Sequence, residues 1–302
     1  MLERKKDYHA WLYMAIPLIL LIIFTFYPII KTVLISFDKS YDASIDRMYF
    51  DLSLYNFQRL FQHPSFMNVL GNTLLIVFIT VPASTVIALL IAVALNSIKP
   101  LQKLFQTIFF MPYVTNTIAI GMVFAVLFSF NSGPGGDVIS NGIINHIFGL
   151  SKDWVGIGAD PWSKRFVLHT YIIWNALPFK ILIFIGGLQN IGKQYYDAAR
   201  IDATPKWRVL TRITIPLLSP IISYVVITSF IGSFKTYESV IGVFGGTWAD
   251  NRDMQTVVGF IYRMIEDSTT YQIGAAAAFI LFVIILIFTV FNLYVSKRRV
   301  HY

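Results

Sequence analysis

The residues able to do chemistry are few, and their spacing excludes most reactions. The chain has no cysteine, so thiolate nucleophiles, thiolate metal sites and disulfides are absent. Its five histidines, His9, His63, His146, His169 and His301, are scattered and show no ligand spacing such as H-E-x-x-H; we read most of them as loop or interface residues. No G-x-S-x-G occurs, and no paired carboxylates fall at membrane depth. One stretch, Gly187–Lys193, matches G-x-x-x-x-G-K. Gln194 follows where a Ser or Thr would ligate Mg²⁺, and an apolar helix rather than a strand precedes it. It reads as a helix exit whose glycines let the chain turn. No catalytic residue, no metal site and no cofactor are expected. If ATP drives this protein, the ATPase is another polypeptide.

What remains is a set of polar residues inside long apolar runs. Polar groups at bilayer depth usually face the bundle interior and are default site candidates. Asn175 and Phe179 lie four apart, on one helical face, beside Ala176. Ser229, Gly232, Ser233 and Thr236 fall at i, i+3, i+4 and i+7, a small, polar stripe ending beside Tyr237. Two readings stay open: close helix packing, which uses the same small residues, and a path for a sugar, with hydroxyls and amides bonding its hydroxyls and Phe179, Trp174 and Tyr237 covering its apolar faces. Lys180 is mid-run, and must point into an aqueous cavity, pair with an acid or snorkel. Lys235, with Glu238 near it, snorkels more easily. If both lysines lined a path, an acidic sugar or a sugar phosphate would fit; a neutral oligosaccharide is the preferred expectation. Asn72, Thr73, Thr115, Asn116 and Thr117 read as interhelical hydrogen-bond partners.

The elements that must position these residues are membrane helices. Of 302 residues 56% are hydrophobic and only 13% charged, with mean hydropathy +0.64. One soluble core could not hide that much apolar surface. Six runs reach the ~20 residues a crossing needs: 11–35, 69–95, 104–130 (interrupted by Pro112), 166–188, 213–234 and 271–295. The first contains Pro17 and Pro28, is too long for a signal peptide and lacks a small-residue cleavage site. A further interfacial helix is expected around Leu54–Phe61, and a turn at Gly133-Pro134-Gly135-Gly136. Six crossings put both termini on one side. That side holds thirteen Lys/Arg, whereas the three long loops hold eight of the Lys/Arg and twelve of the sixteen acids. The N- and C-termini are therefore expected in the cytoplasm. Topology accounts for the net charge of +8, and no nucleic-acid surface is implied. The chain, 1–302, reads as one membrane domain.

Between the fourth and fifth runs lies Tyr195–Pro220, too polar to cross. Asp197 and Asp202 flank Ala198, Ala199, Arg200 and Ile201, which suits a short surface helix. Thr204 before Pro205 reads as the N-cap of a second one. Helix, turn and helix then feed the fifth span. This loop, 190–212, is either a docking knob for a partner or an ordinary basic loop that sets topology.

The stretch resembles the coupling loop of bacterial ABC-importer permeases, whose pattern is E-A-A-x-x-D-G-A, a spacer, then I-x-L-P. Asp197–Thr204 fills the first half and Ile213–Pro220 the second, with Asp197 where the family has Glu and Ala203 where it has Gly. Were positive φ required at Ala203, Ala would be strained by roughly 1–2 kcal/mol. The resemblance spans about Trp11 to the C-terminus and is nearest the carbohydrate-uptake (maltose-type, multiple-sugar) branch. It implies an all-α, polytopic, six-span type I (MetI-like) permease in the bacterial plasma (inner) membrane. It implies a second homologous permease, two cytosolic ATP-binding subunits and an extracellular solute-binding protein as partners, and a carbohydrate as substrate. Asp197, Ala198, Ala199, Arg200, Asp202 and Trp207 would couple the chain to the ATPase, with Asp197 and Arg200 as the docking contacts and Trp207 packing the knob against its base. Substrate contacts would come from Trp174–Phe179 and Ser229–Tyr237. The alternatives are an autonomous secondary carrier or channel, and an acidic sugar or glycerol-phosphate-type solute. A carrier would show inverted halves with facing charged pairs at the midplane, and the runs hold no acid.

Overall fold

A computed structural model describes residues 7–98, 102–132, 138–156, 158–245 and 252–299. Arg4, Lys5, Lys6, Lys99 and the expected turn at 133–136 lie outside them. The described chain is helical apart from one hairpin. In order it forms α1 (Asp7–Leu21), a π turn (Ile22–Phe26), α2 (Tyr27–Phe37), α3 (Tyr55–Gln62), α4 (Phe66–Ser97), α5 (Gln102–Val114) and α6 (Thr117–Leu127). The antiparallel hairpin β1 (Phe130–Ser132) and β2 (Val138–Asn141) follows, then α7 (Ile143–Phe148), α8 (Pro161–Gln189), α9 (Lys193–Ile201) and α10 (Lys206–Val209). A second π turn (Leu210–Thr214), α11 (Ile215–Leu217), α12 (Ser219–Phe234), α13 (Glu238–Phe244), α14 (Val257–Ile265) and α15 (Tyr271–Arg299) complete it.

Four helices are long and apolar enough to cross a membrane: Trp11–Phe37, Phe66–Ser97, Pro161–Gln189 and Tyr271–Lys297. Two bent pairs bring the number up to six. The sequence predicts an interruption of the third run at Pro112 and an unbroken fifth; both are bent. The third is broken by 104° between α5 and α6. The break falls at Thr115–Asn116 rather than at Pro112, because Asn116 is an N-cap: its Oδ1 accepts from the amides of Ile118 (2.8 Å) and Ala119 (3.2 Å) and starts a new helix. The fifth is bent by 71° at Leu218. Pro220 follows, and its missing N–H cannot continue the ladder across the bend.

Both π turns close on the residue just before a proline. Tyr27 N–H donates to Ile22 O ahead of Pro28, and Ile215 N–H donates to Leu210 O ahead of Pro216. A proline ring clashes with the carbonyl four residues back, and the wider turn makes room for it. At the start of α8, Asp160 Oδ1 accepts from the amides of Trp162 and Ser163 (both 3.0 Å), with Pro161 at the first helical position. The Ser163 hydroxyl and amide hold the Asp160 carboxyl down to about 2.

The chain divides into two compact units, residues 1–67 with 259–282, and residues 68–258 with 283–302. In the first, Phe37, Phe57 and Phe279 pack ring to ring, with centroids 5.0–5.8 Å apart. Fully buried Asp38 accepts from the amides of Ser40 (3.1 Å), Tyr49 (2.9 Å) and Phe50 (3.0 Å) and so shapes the loop after α2. Asn56 Nδ2 donates to Ser36 O and Asp38 O, and Gln272 bonds Tyr41 O. The second unit holds two apolar clusters. One joins Ala88, Ala92 and Leu95 of α4 to Ile181, Phe184, Ile185 and Leu188 of α8 and to Leu218 and Val225. The other joins Ile76, Ile120, Val167, Leu168, Tyr171 and Val243. α6 and α13 cross there in near backbone contact: a Cβ on Gly121 would stand 2.7 Å from Gly242 Cα.

Candidate functional site

The loop between α8 and α12 is a structured knob. α9 ends in a left-handed residue, Ala203, at φ 49°. Thr204 N–H donates to Ala199 O (2.9 Å) and Ala203 N–H to Arg200 O (3.1 Å), the paired bonds of a Schellman cap. The position thus takes the conformation Gly favours, and Ala holds it with strain. α10 follows at once. Its cap is Pro205, not Thr204 as expected: Pro205 is extended (φ −63°, ψ 144°), and its carbonyl accepts from the amides of Arg208 (2.9 Å) and Val209 (3.1 Å). Tyr196 Oη lies 3.3 Å from Thr214 Oγ1, tying α9 to the second π turn. That turn leads through Pro216 into α12.

Buried Ala199 anchors the knob, while Asp197, Ala198, Arg200 and Asp202 are exposed. Asp197 and Arg200 face each other at 3.3 Å, an exposed pair worth well under ~1 kcal/mol. Trp207 corrects an expectation. It is 71% exposed and does not pack the knob against its base. Ile201, which the sequence reading passed over, is 86% exposed. The surface thus offers an Asp–Arg pair beside two bare apolar side chains.

Gly187–Lys193 is no nucleotide loop. Gly187 lies inside α8, where a Cβ would stand 2.5 Å from an Ile221 methyl, so this glycine serves helix packing rather than a turn.

The residues expected to line a path are partly brought together. The Phe179 ring stacks on Tyr113 of α5, centroids 5.5 Å apart. Ser233 Oγ lies 3.4 Å from Thr80 Oγ1 on α4. Among the described residues, no hydrogen bond or ring contact links Asn175 or Phe179 to Ser229 or Ser233. Gly232 is open, with nothing within 4 Å of a Cβ there. The stripe is shorter than its spacing implied. α12 ends at Phe234, so Thr236 and Tyr237 lie beyond the helix, and Thr236 O accepts from Thr256 Oγ1 (2.7 Å). Exposed Lys235 caps the helix end.

Lys180 takes none of the three expected environments. It is 5% exposed, and its Nζ donates to Ser84 Oγ (2.7 Å) and Thr85 Oγ1 (3.1 Å) on α4. The sequence reading missed Thr80, Ser84 and Thr85, although Thr80 and Ser84 stand one turn apart in an apolar run. Asn72 and Thr73 are hydrogen-bond hubs between helices, as expected: Asn72 Oδ1 accepts from the Arg165 guanidinium of α8 (3.4 Å), and both residues of α4 also hold the segment that leads into α14. Asn72 Nδ2 donates to Asp253 O (2.6 Å) and Gln255 O (3.2 Å), and Thr73 Oγ1 accepts from Val257 N–H (2.9 Å). Thr117 O also accepts across helices, from Tyr171 Oη (2.5 Å).

Four long apolar helices, two bent apolar pairs and a two-helix knob before the second bend suit a membrane component. The sequence agrees: the model of the family described as binding-protein-dependent transport system inner membrane component matches residues 84–301, and the chain belongs to that family. The lactose transport system permease protein LacF of Rhizobium radiobacter is 27% identical over 300 residues, 99% of this chain and 97% of that protein. The arabinooligosaccharides transport system permease protein AraP of Halalkalibacterium halodurans is 30% identical over 276 residues, 91% and 83% of the two chains. A solved chain of a bacterial ABC transporter that imports the acidic polysaccharide alginate shares the fold, with TM-score 0.80, 20% identity and 97% and 96% coverage.

Proposed function

We propose that this chain is the permease subunit of an ATP-driven importer that moves an oligosaccharide across the plasma membrane by alternating access. The observation that supports it most is the knob. Its rigid cap, its exposed Asp197, Arg200, Ile201 and Trp207, and its link through the second π turn to α12 suit a handle gripped from outside the bundle. Relatives named as lactose and arabinooligosaccharides permeases support the substrate class.

On this reading loop 190–212 and both termini face the cytosol. Two ATP-binding subunits, separate polypeptides, grip the coupling loops of the permease pair. A second, homologous permease completes the path, and an extracellular solute-binding protein delivers the sugar. Closure of the ATPases pushes α9 and α10. The Schellman cap and the Tyr196–Thr214 contact keep the knob from yielding, so the push reaches Pro216 and tilts α12 against α4 and α8. Asn175, Phe179, Ser229, Gly232 and Ser233 then face the solute in turn, with Thr236 and Tyr237 at the mouth.

The test is charge reversal, Asp197→Lys, alongside deletion of Asp197–Asp202. Uptake and its coupling to ATP hydrolysis should fall by about tenfold or more, the effect of turning one charge-assisted contact into a repulsion. Membrane insertion should be unchanged. Uptake at the unmodified rate would remove the docking role.

A further inference from the structure

Among the described residues Lys180 has no carboxylate partner. It lies nine residues before the end of α8, about 14 Å along the axis at 1.5 Å per residue. Its burial shows that it does not snorkel. No Asp or Glu occurs in α4, α5, α6, α8, α12 or α15. Its two partners are hydroxyls whose own protons are already committed: Ser84 Oγ–H donates to Thr80 O (2.5 Å) and Thr85 Oγ1–H to Val81 O (2.7 Å). Both therefore turn lone pairs toward the ammonium. They satisfy two of its three N–H donors and bring no negative charge.

Helix packing does not explain this arrangement. Apolar residues of similar volume do as well or better than buried ions where only stability is at stake. A charged residue at membrane depth is a functional group by default. Its surroundings are also continuous with the path: Thr80, one turn from Ser84, meets Ser233 of α12, and Phe179 is its neighbour in α8.

We propose that Lys180 selects solutes that carry a carboxylate, which makes the cargo an acidic oligosaccharide of the uronate class. The inference rests on the importer reading above. In the present state the ammonium is parked on Ser84 and Thr85. Its flexible four-carbon stem lets it leave them. An arriving carboxylate accepts the third N–H first, then replaces the hydroxyls, and supplies the missing charge. Fixed lysines and arginines select anions by sign in the same way in channels.

The test uses the complete importer, with its own ATPase subunits and solute-binding protein, in proteoliposomes. Two solutes are compared: a uronate trisaccharide and the same trisaccharide with its carboxyls methyl-esterified. ATP-dependent uptake of each is measured for the unmodified chain, Lys180→Met and Lys180→Arg. The binding protein is common to all three, so its preference cancels when the acid-to-ester ratios are compared. The ratio should fall about tenfold or more in Lys180→Met, as loss of a charge-assisted contact implies, and stay within about threefold in Lys180→Arg. Should Lys180→Met fail to assemble, Lys180→Gln is the second neutral variant, with the same expected loss. A ratio unchanged in the neutral variants, or uptake of the ester alone by the unmodified importer, overturns the carboxylate assignment and leaves the importer reading standing. Uptake that needs no ATP overturns both.

Discussion

Ala203 shows how much one residue's conformation decides. Its φ of 49° is what the Schellman cap of α9 requires, and its methyl makes that costly. Ala203→Gly should therefore stabilise the chain by up to about 1 kcal/mol, and Ala203→Val should destabilise it by about 2 kcal/mol, since a β-branched side chain fits the left-handed region worst. Thermal unfolding in detergent reads both, and a midpoint that rises with Val would refute the assignment. Lys180 and Trp207 make the complementary point. Each was singled out by type, yet the sequence held no sign that Lys180 would meet two hydroxyls ninety-odd positions away, or that Trp207 would stand bare. Such pairings depend on which helix face meets which, and periodicity alone does not say.

At the level of elements, the sequence placed the apolar runs but not their internal breaks. Asn116 and Leu218 divide the third and fifth crossings, and both breaks had local signals: a capping Asn, and a proline shortly after. The two π turns share one too, a proline directly behind the closing residue. The packing of α6 on α13 had no such signal. Gly121 and Gly242 are far apart in sequence, and only the folded chain shows that their backbones nearly touch. Gly121→Ala places a methyl where backbone atoms stand. It should cost about 1–3 kcal/mol through overpacking, read as a lower unfolding midpoint in detergent. Gly71→Ala, with nothing within 4 Å of the added methyl, is the control and should leave the midpoint within about 0.5 kcal/mol.

For the whole molecule, the proposed function makes transport depend on other subunits. The one G-x-x-x-x-G-K stretch belongs to a helix, a turn and the start of α9. Vesicles containing this chain alone should show no solute uptake above the protein-free leak, with or without ATP. Adding the ATP-binding subunits, a second permease and a solute-binding protein should restore it. Uptake by the lone chain would instead favour an autonomous carrier.

Sequence alone gave the class, the apolar runs and the place of the helix pair between the fourth and fifth of them, because each is written in local composition: hydropathy over some twenty residues, and a short motif with its prolines. Tertiary structure alone decided where the crossings bend, which glycines bring backbones together, and that Lys180 rests on two hydroxyls of α4. Those outcomes follow from burial and from contacts between residues remote along the chain, and short-range pattern has no access to them.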